Sequence, residues 1–424
     1  MKKYISLLVL MLPFISMAQQ KLEKEIAAIE PKIIEWRRDF HENPELSNRE
    51  YNTAKKIATH LKSLGIEVKE GIAKTGVVGI LKGKKPGKVI ALRADIDALP
   101  VTEITDVPFK SKVTTTFLEK ETGVMHACGH DTHIAIMMGV AEILAKNNDF
   151  AGTIKFIFQP AEEGPPPGEE GGASLMVKEG VLENPKVDAI FGLHISAGMD
   201  VGKLNYKPGG AMASSQRFVI KVKGKQTHGS SPWTGVDPIM VSAKIIDGLQ
   251  TIISRESQLT NEAAVISVGK ITSGVRFNII PEEAEMIGTI RTLDYNMRTK
   301  INKRMEEMVS AIAKAYRATA TVSIEDTAPI TFNDLDLTAQ TLPSLQKAAG
   351  KENVYLAKAI TGAEDFAFFQ EKIPGFYFFL GGKPLNVKPE NATSHHTPAF
   401  YIDESGMLLG VKTFIQIVHD YLGN

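Results

Sequence analysis

The densest group of chemically capable side chains lies in residues 126–133, which read HACGHDTH. Imidazole and thiolate are the ligands that zinc and related divalent ions prefer in proteins. Cys128 is the only cysteine of the chain, so neither an internal disulfide nor a redox pair can form. The segment therefore predicts a metal site. A Cys128 nucleophile with His130 or His126 as its base is the alternative that these residue types leave open.

Further acidic and imidazole side chains come directly after predicted strands. They are Asp95 and Asp97 after Val89–Ala94, Glu162 and Glu163 after Ile154–Phe158, and His194 after Ala189–Leu193. In open α/β sheets the ligand crevice lies outside the carboxyl ends of the strands. Their shared placement predicts one metal site assembled from distant segments.

The adjacent pair Glu162-Glu163 suits a hydrolytic metal site. Such a site needs carboxylate ligands, and it also needs a carboxylate that is not a ligand and moves a proton between water and the leaving group. Neighbouring glutamates can divide these two tasks. By itself the pair also fits a solvated loop.

The elements around these residues predict an α/β fold. Short apolar strands alternate with helical patterns, which favours a mostly parallel sheet covered by helices on both faces. The middle of the chain instead follows the order β-α-β-β-α-β, the ferredoxin-like split unit. We expect a catalytic domain of residues 19–211 and 326–424, with residues 212–325 inserted as a second, α+β domain.

The first 18 residues are typical of an export signal. Lys2 and Lys3 precede a mostly apolar run from Tyr4 to Ile15, and Ser16-Met17-Ala18 supplies a small-x-small cleavage pattern. The run is short for a membrane span, so a retained anchor helix is the less favoured alternative. We expect export to the periplasm or the medium, with no integral membrane association after cleavage.

Charge and length exclude some function classes. The chain has 424 residues with 49 basic and 49 acidic side chains, a formal net charge of +0. This balance gives no support to a nucleic-acid partner, which needs a basic surface. The length favours two domains, and a small-molecule substrate is the expected partner.

The sequence resembles the amidohydrolase branch of the dinuclear aminoacylase/carboxypeptidase metallopeptidase family, which includes hippurate, auxin-conjugate and N-acyl-L-amino-acid hydrolases. The similarity covers essentially the whole chain after residue 18. The matching segments are RRDFHENPE (37–45), RADIDALP (93–100), HACGHDTH (126–133), FQPAEE (158–163), GLH (192–194), FNIIP (277–281), GAEDF (362–366) and HTP (396–398).

This resemblance implies one or two divalent metal ions, with zinc, manganese, nickel and cobalt as candidates. The implied ligands are Cys128, His130, Glu163, His194 and His396, with Cys128 bridging two ions. Glu162 would be the general base, and Asp131 would orient a ligating imidazole. His396 is preferred over His395 because it stands in the family's His-Ser/Thr-Pro pattern.

The inserted domain resembles the family's lid and dimerisation domain, which implies a homodimer. His228 matches a histidine that polarises the scissile carbonyl, and Asn278 matches a residue that lines the substrate site. Without the resemblance, His228 reads as a surface histidine and Asn278 as a turn residue before Pro281.

The implied activity is metal-dependent hydrolysis of the amide bond of N-acyl amino acids, with metal-bound water as the nucleophile. Asp95-Ile96-Asp97 and a bridging Cys128 favour this branch over the peptidase branches, which carry His-x-Asp and a bridging aspartate. An exported dipeptidase or carboxypeptidase using the same site is the nearest alternative. A non-catalytic binding protein with this fold is disfavoured because every expected ligand residue is present.

Overall fold

The computed structural model describes residues 20–423, so the predicted signal segment of residues 1–18 lies outside it. The described chain forms two compact units. The first contains the residues up to Tyr206, Asn333–Ala357 and the residues from Lys372 onward, and the second contains Lys207–Phe332 and Lys358–Glu371. The sequence-based boundaries of 212–325 differ from these, since residues 207–211, 326–332 and 358–371 also group with the second unit.

The elements are numbered in chain order. The α-helices are α1 Glu30–Glu42, α2 Tyr51–Ser63, α3 His130–Lys146, α4 Gly172–Lys178, α5 Pro238–Thr251, α6 Tyr295–Ala315, α7 Leu335–Ala349, α8 Ala367–Gln370 and α9 Met407–Leu422. The strands are β1 Glu67–Ile72, β2 Gly76–Lys82, β3 Lys85–Asp95, β4 Thr114–Phe117, β5 Lys120–Gly123, β6 Ala151–Gln159, β7 Ala189–Asp200, β8 Leu204–Tyr206, β9 Gly209–Met212, β10 Ser214–Lys223, β11 Thr227–His228, β12 Ala264–Ser273, β13 Ile279–Ile280, β14 Glu283–Thr292, β15 Thr319–Ala328, β16 Thr331–Asn333, β17 Val354–Leu356 and β18 Gly375–Lys383.

The first unit is built on an eight-stranded sheet of order β1-β2-β6-β3-β7-β18-β8-β17. Its centre, β6-β3-β7-β18, is parallel throughout. These strands are apolar and buried along most of their length, as expected for a sheet covered on both faces. The predicted α/β class with a mostly parallel, helix-covered sheet is confirmed.

Helix α3 lies at the centre of the first unit and carries part of the predicted site. It is buried from His130 to Leu144, since its apolar residues occur all round the helix rather than on one stripe. Gly129 precedes it with φ +93°, and a Cβ there would lie 2.3 Å from Ile195 Cγ2. Only glycine meets both demands. The helix therefore starts at His130, four residues before its continuous apolar pattern begins at Ile134.

The second unit has the predicted order β10-α5-β12-β14-α6-β15. Its sheet order is β12-β14-β10-β15, and each neighbouring pair is antiparallel. Helices α5 and α6 bury an apolar stripe that includes Ile245, Leu249, Ile301 and Met305. This is the split β-α-β arrangement. Among the described residues, no helix combines the length and apolar character needed to cross a membrane.

Candidate metal centre

Cys128 stands at the centre of a group of imidazoles in the first unit. Its Sγ atom lies 3.2 Å from Nε2 of His396 and 3.4 Å from Nε2 of His194. The side chain is buried, with 7% of its surface exposed. Burial, followed by the nearby Glu163 and Glu162 carboxylates, raises the pKa of this thiol well above its usual range.

His130 is oriented by the backbone and side chain of Asp97. Its Nδ1 lies 2.9 Å from the Asp97 carbonyl oxygen and 3.2 Å from Asp97 Oδ1, so Nε2 points the other way, 3.8 Å from Glu162 Oε2 and 4.0 Å from Glu163 Oε1. Burial opposes the charged imidazole, but Asp95 and Asp97 outweigh it and raise the pKa of His130 to about 10. The carboxylates therefore give the site a strongly negative electrostatic potential, which favours a bound cation.

Glu162 and Glu163 lie on a turn that follows β6. Ala161, the first residue of the turn, has φ +51°, and the Glu163 amide donates to Asp97 Oδ2 over 3.0 Å. Glu163 Oε1 lies 3.0 Å from His396 Nε2. The turn thus places one carboxylate against His396 and the other beside His130.

His194 lies inside β7 rather than after its end, because this strand continues to Asp200. Its Nδ1 donates to the Ile195 carbonyl oxygen over 2.6 Å, which leaves Nε2 as a lone-pair donor facing Cys128. Burial, then the His133 charge, lowers the pKa of His194 well below its usual range, which favours the neutral, ligating form.

His395 and His396 are distinguished by their hydrogen bonds. His395 Nε2 accepts from the Ala197 amide over 3.1 Å, so its proton is on Nδ1, 3.7 Å from Cys128 Sγ. His396, with φ +62°, turns Nε2 toward both Cys128 and Glu163. The structure therefore brings His396 into the site as a candidate ligand and gives His395 the role of a neighbour that holds Cys128.

The donor set fits divalent metal ions. Among the groups of described residues whose ligand atoms all lie within 4.8 Å of one another, two share Cys128: Cys128 with His130 and His194, and Cys128 with Glu163 and His396. His130 Nε2 is buried and has no hydrogen-bond partner within the described residues, a costly state that a cation relieves. Since the two groups share Cys128, these residues could together hold two divalent ions.

Asp131 differs from its expected role, because its carboxylate does not reach a candidate ligand. Its Oδ2 accepts from Arg37 Nε and lies the same 2.8 Å from His41 Nδ1. Burial opposes ionisation, but the Arg37 charge outweighs it and holds the pKa of Asp131 far below its usual range. Asp97 holds His130 instead. Asp131 projects from the helix start toward α1, which carries Arg37 and His41.

Two buried histidines of the cluster also stay outside the candidate ligand set. His133 Nδ1 donates to Asp95 Oδ1 over 2.5 Å, and its Nε2 accepts from the Ile195 amide over 2.8 Å. Both of its nitrogens are thus occupied. His126 is buried, and neither ring nitrogen has a partner within residues 20–423; burial lowers its pKa to about 4.

Sequence reasoning placed Asp97 near the predicted metal site but gave it no individual role. It contacts His130, the Glu163 amide and Ser47, whose Oγ donates to Asp97 Oδ2 over 2.7 Å. The signal for it was its position just after β3, whose last residue is Asp95. Asp95 points instead to Arg93 and His133.

His228 and Asn278 belong to the second unit, where the structure places them side by side. Strand β11 ends at His228, which pairs with Ile279, and the Gly229 amide donates to the Asn278 carbonyl oxygen over 2.8 Å. His228 is exposed. Asn278 Oδ1 is buried and has no partner among the described residues.

Known proteins resemble the chain over almost its full length. Residues 91–420 match the model of peptidase family M20/M25/M40. Thermostable carboxypeptidase 2 of Saccharolobus solfataricus is 45% identical over 394 residues, which is 92% of this chain and 95% of the relative. N-acetylcysteine deacetylase of Bacillus subtilis is 40% identical over 397 residues, 92% and 97% of the two chains.

Solved structures agree with this relationship. A dinuclear metal-binding peptidase of the M20 family from Bacillus subtilis superposes with a TM-score of 0.78 at 37% identity, covering 93% of this chain and 99% of the other. The matched region contains every candidate metal ligand. The chain belongs to peptidase family M20/M25/M40 and is a metal-dependent hydrolase of amide bonds.

Proposed function

We propose that the protein hydrolyses N-acyl amino acids to a carboxylic acid and an amino acid. The observation that carries the proposal is the pair of ligand groups sharing Cys128, with Glu162 beside them and outside both. The similarity to a deacetylase of N-acetylcysteine supports the acyl-amino-acid class. The similarity to a carboxypeptidase keeps peptide hydrolysis as the second candidate.

In this proposal Glu162 is the general base and acid. Its Oε2 faces His130 Nε2 at 3.8 Å, while the adjacent Glu163 faces His396. Cys128, His130, Glu163, His194 and His396 would hold the divalent ions, whose contribution would be Lewis acidity toward the amide carbonyl and a lower pKa of water. Glu162 takes the proton of the attacking water and delivers it to the departing amine, a role worth about 10²–10⁴-fold in rate.

His228 is proposed as the donor to the developing oxyanion. The Ser230 amide donates to His228 Nδ1 over 3.1 Å, so the neutral ring carries its proton on Nε2. That atom is then available as a donor on an exposed side chain. Donors of this kind stabilise charge that is present only in the transition state. We propose Asn278, its neighbour, as a substrate-binding residue.

A thiol hydrolase that uses Cys128 fits the site poorly. Reactive cysteines lie in electropositive surroundings that favour the thiolate. Burial, followed by the Glu163 and Glu162 carboxylates, instead raises the pKa of Cys128. A thiolate at this position requires bound cations, so it is proposed as a ligand.

We further propose that the protein is exported and forms a homodimer through the second unit. Export is supported by the basic and apolar pattern of residues 1–18.

Dimerisation is supported by β12, an edge strand of its sheet with Val265 and Ile271 exposed, and by the exposure of Val275 and Phe277 to 97% and 95%. Unpaired edges and exposed apolar side chains are typical of interfaces. Light scattering of the mature protein at several concentrations tests the dimer.

A substrate panel tests the proposed activity. Metal-loaded mature protein is assayed for kcat/KM on N-acetyl and N-benzoyl amino acids and on dipeptides of the same residues. We expect the acyl amino acids to be preferred by at least about 10-fold, a difference of about 1.4 kcal/mol in transition-state binding. Preference for dipeptides would assign the protein to the peptidase class instead.

A further inference from the structure

Glu50 is a buried carboxylate that the proposed mechanism does not use. It precedes α2 at the capping position, yet its side chain makes no cap hydrogen bond to this helix. That task falls to Glu45, which accepts from the amides of Asn52 and Thr53. Glu50 is 0% exposed. Because burying a carboxylate is costly, its partners must explain it.

The partners of Glu50 lie at the turn that carries Glu162 and Glu163. Glu50 Oε1 accepts from the Ala161 amide over 2.9 Å, and Oε2 accepts from Thr75 Oγ1 over 2.6 Å. Ala161 has φ +51°, a left-handed conformation that a residue with a Cβ adopts only where its surroundings impose it. The Glu50 carboxylate thus holds the strained first residue of this turn.

A second buried carboxylate holds the same turn from the other side of Glu162. Asp97 accepts from the Glu163 amide and is itself held by Ser47. The Ala161 and Glu163 amides, on either side of Glu162, therefore each donate to a buried acid. The Thr75 hydroxyl anchors Glu50, and the Ser47 hydroxyl anchors Asp97. Packing there is tight, since a Cβ on Gly171 would lie 2.8 Å from Asn48 Oδ1 and 3.2 Å from Ala161 Cβ.

We propose that Glu50 is a positioning residue, whose carboxylate fixes the Ala161–Gly164 turn and thereby sets where Glu162 and Glu163 lie relative to the metal ligands. This role rests on the proposed function of Glu162 and Glu163. It requires an acceptor at Oε1 and not a negative charge. A glutamine of the same shape should therefore replace Glu50, whereas alanine should not.

The test combines hydrogen exchange with kinetics in the metal-loaded mature protein. Glu50→Ala is expected to speed exchange of the peptide containing Ala161–Gly164 by about 10-fold or more and to lower kcat by about 10–100-fold with little change in KM. Glu50→Gln should stay within about 3-fold of wild type in both measurements. Glu45→Ala, which removes the side-chain acceptors of two backbone amides in the first turn of α2, should loosen α2 and leave kcat unchanged.

The two readouts separate failure of this inference from failure of the proposed function. Unchanged exchange at Ala161–Gly164 in Glu50→Ala, or unchanged kcat where the wild type is active, overturns the positioning role. A wild type without activity on acyl amino acids or peptides overturns the proposed function, while exchange still decides whether Glu50 holds the turn. If Glu50→Ala does not fold, Thr75→Val removes the hydroxyl that anchors Glu50 and should move both readouts in the same direction by a smaller factor.

Discussion

Nε2 of His396 lies 3.2 Å from Sγ of Cys128, across 268 positions of the chain. The same nitrogen lies 3.0 Å from Glu163 Oε1. One imidazole thus links the thiol that precedes α3 with the carboxylate that follows β6. Its neighbour His395 also faces Cys128, but its Nε2 is occupied by the Ala197 amide. We therefore expect replacement of His396 and replacement of His395 to affect metal binding differently.

His396→Ala is expected to weaken binding of one metal ion by about 100-fold or more, because it removes a candidate ligand. His395→Ala should weaken metal binding by only about 10-fold, as expected for a residue that supports a ligand. Titration of the metal-free proteins with Zn²⁺ against a chelating indicator measures both. Equal losses in the two variants would contradict the assignment of His396 over His395.

Metal removal distinguishes the ligand role of Cys128 from a nucleophile role. Treatment with a chelator should abolish activity, since the ligands lose their ions and the buried metal-free thiol, whose pKa is raised, is a poor nucleophile. Adding back metal should restore activity. Activity that survives complete chelation would support a thiol hydrolase.

Stability should depend on pH through Glu50. Burial, then the Asp97 charge, raises the pKa of Glu50 to about 7. The folded state therefore favours protonated Glu50. This contribution to the free energy of unfolding is complete below the unfolded pKa of about 4.3 and is lost as pH rises through about 7. Glu50→Gln stays neutral, so its free energy of unfolding relative to wild type should rise by roughly 2–3 kcal/mol between about pH 5 and pH 8. Urea unfolding of the metal-free proteins measures this, and a constant difference across the range would contradict it.

The buried pair of Arg37 and Asp131 should matter for stability rather than for metal binding. Their side chains are 2% and 0% exposed, and Arg37→Met removes the arginine charge that faces the Asp131 carboxylate. We expect a loss of about 3–5 kcal/mol in the free energy of unfolding. Lys84→Met, which breaks the exposed pair with Asp149, should change it by less than about 1 kcal/mol. A similar small change in both variants would contradict the role of the buried pair.

Most of the fold was predictable because the strands carry a clear signal. Buried parallel strands such as Val89–Ala94 are continuous apolar runs between turns, and the order of elements separates the parallel sheet from the inserted unit. The start of α3 was not predictable in this way. Its first turn consists of polar side chains that are buried at the candidate site, so the apolar residues that mark a helix in the sequence begin only at Ile134.

Partners of individual side chains were less predictable. Asp97 and Asp131 both lie in motifs rich in candidate groups, so the sequence does not show which group each carboxylate faces. The first turn of α3 places His130 beside Asp97 and Asp131 beside Arg37. The grouping of residues 358–371 with the second unit depends on backbone contacts such as the Ala213 amide with the Ile360 carbonyl oxygen. Such contacts leave no pattern in the sequence.

The proton-transfer role of Glu162 is the central claim, and Glu162→Gln tests it most directly. Glutamine keeps the size of the side chain, and Glu162 lies outside both ligand groups that share Cys128. With metal content measured on the same samples, we expect wild-type metal content and a kcat on N-acyl amino acids that is lower by about 10²–10⁴-fold. Wild-type turnover in a variant with full metal content would contradict the account.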